Sequence, residues 1–83
     1  MADIVYLVCV RHYGESYIDQ ITDNSHSAVL LSYHYMNKRN EKYRTRFTDS
    51  DYCIVEHTSY NWYVWVEMRR VYDVVAVTTL LKV

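Results

Sequence analysis

One glycine, Gly14, and no proline stand in a chain of 83 residues. Average usage would place about ten of these two residues in such a length. Glycine supplies positive φ and proline fixes φ, so together they are the usual means of forcing a sharp turn. Asn, Asp and Ser must make most of the connections instead.

Residues 1–83 read as a single compact domain, since domains cluster near ~100–150 residues. Hydrophobic residues make up 51% of the chain and aromatics 16%, with ten Tyr and two Trp, which excludes a wholly disordered state. A domain this short buries only ~60–65% of its unfolded surface. Aromatic side chains, each able to bury ~150–250 Å², compensate for that. No window of ~18 apolar residues is free of charge, so a membrane-spanning helix is not expected. Met1-Ala2-Asp3 carries no basic region ahead of the apolar run and does not read as a secretory signal.

Residues 3–12 read as a strand. Ile4, Tyr6, Val8 and Val10 lie on one face and Val5, Leu7 and Cys9 on the other, so both faces are apolar and the strand is central or doubly covered. Gly14, Glu15 and Ser16 turn the chain into a second strand over residues 16–22, forming a hairpin. Residues 23–27 offer N-caps for a helix with Val29, Leu30, Tyr33 and Met36 on its apolar face, fading into polar residues 37–42. The alternative is a strand in which Leu31, Tyr33 and Tyr35 alternate with Leu30, Ser32 and His34, and the capped start and basic finish favour the helix. A loop is expected at residues 48–51. Strands follow over residues 52–59, 62–69 and 74–81, although a closing helix near residues 70–83 stays open. The expected class is α+β: an antiparallel sheet of about five strands in the order β-β-α-β-β-β, with one helix on a face.

Cys9 and Cys53 each sit in an apolar run, where cysteine acts as a small buried hydrophobe. Two reduced core thiols, dispensable for activity, and a reducing cytoplasmic setting follow; a cross-strand disulfide is the alternative. His12, His26, His34 and His57 are scattered over four elements with no local metal-ligand spacing. A site assembled by folding, such as Cys9 with His57 on neighbouring strands, is the one metal arrangement left. Burial raises a thiol pKa and works against a cysteine nucleophile. One glycine cannot build a phosphate loop or a nucleophile elbow. No catalytic residue, metal or cofactor is expected.

Charge is polarised. Residues 38–46 balance to +4, against −3 for residues 1–37 and −2 for residues 47–83. Cations at a helix C-terminus offset its dipole, and this accounts for part of the run. Lys38, Arg39, Lys42, Arg44 and Arg46 also interleave with Tyr43 and Phe47, as in single-strand binders. The pI of about 6.4 lies below the basic balance usual for nucleic-acid-binding domains. A second group, Tyr60, Trp62, Tyr63 and Trp65, places Trp62 opposite to Tyr63 and Trp65 on a strand. Core packing accounts for one side of that strand, and exposed Trp and Tyr beside Arg69 have the composition of an interface hot spot. The residues assigned to partner binding are therefore Lys38, Arg39, Lys42, Arg44, Arg46, Tyr63 and Trp65.

The run Ile4-Val5-Tyr6-Leu7-Val8, the turn Tyr13-Gly14-Glu15-Ser16, the cap at residues 23–27 and the strand Tyr52-Cys53-Ile54-Val55-Glu56 together resemble small bacteriophage-encoded β/α proteins. The likeness covers residues 3–58. It departs in the Val-rich tail from Trp62 onward and in lacking an acidic DNA-mimic face. Some such proteins inhibit host enzymes or host immunity, anti-CRISPR proteins among them. The resemblance implies a viral inhibitor in the host cytoplasm that occupies the surface of a host protein or protein–nucleic acid complex. It carries over no functional residue. A nucleic-acid-binding module using residues 38–46 is the alternative.

A homodimer is expected through the strand at residues 74–81 or its neighbour at residues 62–68, because no proline blunts either edge. Sedimentation of the wild type and Val77→Lys checks this: the wild type should dimerise at high concentration and the variant should not. A monomeric wild type overturns the expectation, and a dimer that survives Val77→Lys moves the interface elsewhere.

Overall fold

The computed structural model describes residues 4–49 and 54–71. Along the chain run β1 (Ile4–His12), β2 (Glu15–Thr22), α1 (Ser25–Asn37), β3 (Tyr43–Asp49), β4 (Ile54–Ser59) and β5 (Trp62–Arg70). The strands form one antiparallel sheet in the order β2-β1-β5-β4-β3, with α1 against it: an α+β fold.

The make-up of the sheet differs from the expectation. Tyr43-Arg44-Thr45-Arg46-Phe47 is an edge strand and not the tail of a cationic loop, and Thr48 and Asp49 continue it. Asp3, Tyr52 and Cys53 lie outside the described residues, as does the strand expected over residues 74–81. β5 runs between β1 and β4, so the strand expected to offer a dimer edge at residues 62–68 is an interior one.

Local chemistry sets the connections. Tyr13 and Gly14, at φ 52° and 81°, form the two-residue loop between β1 and β2. Two left-handed residues in succession give the primed turn whose twist matches that of the flanking strands. Asn24 caps α1, its Oδ1 accepting the Ser27 N–H at 3.0 Å. The stripe that α1 buries is Ala28, Ser32, Tyr35 and Met36. Of the face expected from Val29, Leu30, Tyr33 and Met36, only Met36 is fully buried, and Leu30 is 69% exposed. Apolar residues flank both sides of this helix, and the small side chains at positions 28 and 32 lie where it meets the sheet.

The core lies between α1 and the sheet face that carries Val8 and Val10 of β1, Val64 and Val66 of β5 and Val55 of β4. These five valines are 1% exposed or less. Among the described residues two polar side chains, His57 and Ser32, are sealed beside them. The His57 ring of β4 is fully buried, with Nε2 2.8 Å from Ser32 Oγ on α1 and Nδ1 2.8 Å from Thr45 Oγ1 on β3. Ser32 Oγ donates to the Val29 carbonyl at 2.6 Å. Its remaining capacity is to accept, so His57 donates from Nε2 and Nδ1 accepts from Thr45. Both ring nitrogens of His57 are thereby satisfied with the imidazole neutral.

Burial holds the His57 imidazole well below its ordinary 6.5, at about 4. Above pH 6.5 the ring is neutral whether the chain is folded or unfolded, and it contributes no pH dependence. As pH falls from 6.5 towards 4, the unfolded chain takes up a proton that the folded chain refuses, and stability drops by on the order of 1.4 kcal/mol per pH unit. Urea unfolding of the wild type at pH 7, 6 and 5 should record that loss, and His57→Gln should flatten it over the same range.

Candidate functional site

The second face of the sheet is built by the side chains that alternate with the core valines. It carries Val5, Leu7, Cys9 and Arg11 of β1; Ile18 and Ile21 of β2; Tyr63, Trp65, Glu67 and Arg69 of β5; Glu56 and Thr58 of β4; and Arg44 and Arg46 of β3. No described element packs on it, because α1 lies against the other face.

Register turns this face into two cross-strand rows. One runs Arg44, Thr58, Tyr63, Arg11, and the next runs Arg46, Glu56, Trp65, Cys9. Tyr63 and Trp65 are half-buried, with ring centroids 5.0 Å apart, and the Arg11 guanidinium lies 5.9 and 5.7 Å from the two rings. That is the outer range of a cation–π contact. Each ring is held by its polar tip. Tyr63 OH donates to Glu56 at 2.5 Å, and Trp65 Nε1 donates to Glu67 at 2.7 Å. The same two carboxylates pair with Arg46 at 2.8 Å and with Arg69 at 2.9 Å. The Tyr63 hydrogen bond, assisted by Arg46, holds the Glu56 carboxyl below the usual range. Burial and the same hydrogen bond push the Tyr63 phenol up.

Among the described residues the pairing of β4 with β5 covers Glu56↔Trp65, His57↔Val64 and Thr58↔Tyr63. Beside Trp65 lies a cleft of about 280 Å³ whose walls include Trp65, Glu56, Glu67 and Met68.

Of the residues expected to bind a partner, Arg44, Arg46, Tyr63 and Trp65 meet on this face. The others do not join them. Lys38 closes the C-terminus of α1, and Lys42 is exposed in the connection leading into β3. Arg39 is drawn into the molecule's own packing: its guanidinium sits 4.0 Å from the Tyr35 ring and 4.6 Å from that of Trp62, and its Nε donates to the Tyr35 carbonyl at 3.3 Å. Trp62 faces the helix side and stacks on His12 at 3.6 Å, leaving Tyr63 and Trp65 as the pair on the second face. Arg11, Glu56 and Glu67 belong to the site and were not singled out by sequence. Alternation puts Arg11 on one face with Leu7 and Cys9, but only the register shows that this is the face of Trp65.

Other chemistry is placed elsewhere. Cys9 is a free thiol, buried, with its pKa pushed up to about 12 mainly by that burial. Cys9 and His57 do not lie on neighbouring strands: β5 separates β1 from β4, and the two side chains occupy opposite faces. Among the described residues no three His, Cys, Asp or Glu side chains are grouped to hold a metal. No described helix is long and apolar enough to cross a membrane. Compared with known proteins, the chain matches no family model, no curated protein and no solved structure.

A ¹³C-tyrosine NMR titration tests the anchoring of the ring pair. The Tyr63 phenol should titrate above its ordinary 10, and Glu56→Gln should bring it back towards that value. A Tyr63 titration unmoved by Glu56→Gln would show that the hydrogen bond does not fix the ring.

Proposed function

We propose that the protein is a small non-enzymatic binding module, of the kind found among phage-encoded inhibitors, which acts by laying the second face of its sheet on another macromolecule in the host cytoplasm. The observation that carries this reading is the meeting of Trp65, Tyr63 and Arg11 on one face, with both ring tips already anchored. Trp, Tyr and Arg are the residues that dominate binding hot spots. Rings held in place before contact lose less freedom on binding, which leaves more of the contact energy as affinity. Val5 and Ile18 give the face half-buried apolar surface above the buried Leu7 and Cys9, and Arg44, Arg46, Arg69 and the two glutamates give it a charged rim. That is the anatomy of an interface. The free thiol of Cys9 suits a reducing compartment.

Capture from bacterial host lysate, comparing the wild type with an Arg11→Ser/Trp65→Ser double variant of matched melting temperature, tests the reading. The wild type should retain a specific macromolecule that the variant loses. Equal retention by the two would place the binding surface elsewhere.

A further inference from the structure

We infer that the macromolecule seated on this face is a single-stranded nucleic acid, with bases stacking on Tyr63 and Trp65 and phosphates meeting Arg11 and Arg44. This rests on the second sheet face being the binding face. Glu56 and Glu67 are each matched by an arginine of their own, Arg46 and Arg69. Arg11 and Arg44 have no acidic partner among the described residues; Arg11 Nε donates only to Ser16 Oγ, at 3.3 Å. A chain whose net charge is −1 thus carries four arginines against three carboxylates, Glu56, Glu67 and Asp49, on one sheet face.

Their placement selects the ligand. Arg44 and Arg11 stand at the two ends of the row Arg44, Thr58, Tyr63, Arg11, three strand spacings or about 14 Å apart at Cα. A polyanion laid along that row meets a cation, a ring and a cation in turn. An acidic protein segment would satisfy the arginines but make no use of the ring faces. A base does use them, and stacking of this kind tolerates any sequence. The cleft beside Trp65 adds Glu56 and Glu67, carboxylates that accept from the amino edges of bases. A duplex hides its base faces, and a sheet face has no helix or ribbon to enter a groove.

The probe is a fluorescently labelled single-stranded oligodeoxynucleotide of mixed sequence, within the ~4–16 nucleotide site sizes of small domains, titrated with the whole protein and followed by anisotropy. Two neutralised phosphates at ~0.7 each give a salt slope of about −1.4, so affinity should fall about sevenfold between about 50 and 200 mM salt. Trp65→Leu should weaken binding at least fivefold, the loss of about one stacked base. Should Trp65→Leu fail to fold, Arg44→Glu, at an exposed position of an edge strand, should weaken binding at least tenfold and flatten the salt slope. Absence of binding at low salt, equal affinity for the matching duplex, or an Arg44→Glu variant that binds as the wild type does would each overturn the inference. If the oligonucleotide fails while lysate capture still depends on Arg11 and Trp65, the binding face stands and only the ligand is wrong; if both fail, both fall.

Discussion

A helix of thirteen residues is about 20 Å long and about 10 Å across, while five strands spaced by about 4.8 Å span about 19 Å. One such helix closes one side of the sheet, and among the described elements none lies on the other. Everything else in the described structure answers to that limit. On the covered side the helix must reach strands on both flanks of β1 and β5. It does so with polar contacts at its margins: Tyr35 to Tyr17 on β2, Tyr43 on β3 to Asn37, and the chain from Ser32 through His57 to Thr45. The apolar centre and these polar margins together fix where α1 sits.

The buried imidazole is the most demanding of these contacts. A polar group taken out of water without partners costs several kcal/mol, whereas one with both nitrogens engaged costs little and fixes geometry. Tyr33 and Tyr43 approach the ring edge-on at 4.6 and 5.5 Å, so its surroundings are aromatic as well as hydroxylic. His57 joins three elements that are distant in sequence. It also explains why Ser32, a hydroxyl residue, is fully buried.

How much of this was legible beforehand depends on what each residue had to satisfy. β1 and β5 were readable because both are flanked by other strands and carry long alternating apolar runs. β3 was not. On its second face it presents Arg44 and Arg46, and a strand at the rim with one charged side looks like a solvated loop when its partner is unknown. The buried stripe of α1 was misplaced for a related reason: Ala28 and Ser32 are chosen by proximity to the sheet, which no hydropathy pattern encodes. The aromatic and basic groups of the candidate site were each visible as composition. Their meeting was not, since it depends on the register that sets Glu56 opposite Trp65 and Thr58 opposite Tyr63. Arg39 shows the opposite error, a cation counted with the surface that its aromatic neighbours hold on the helix side.

Trp62 and Trp65 stand three residues apart on one strand and point to opposite sides of it. The indole of Trp62 lies between a histidine ring and a guanidinium, in the layer that joins helix to sheet. The indole of Trp65 lies on the far side, hydrogen-bonded to a carboxylate. The molecule therefore carries two intrinsic optical reporters with separate duties. Emission from Trp62 follows the docking of the helix, and emission from Trp65 follows whatever happens on the opposite surface. Replacing one indole at a time would let the two halves of the same fold be watched independently in a single cuvette.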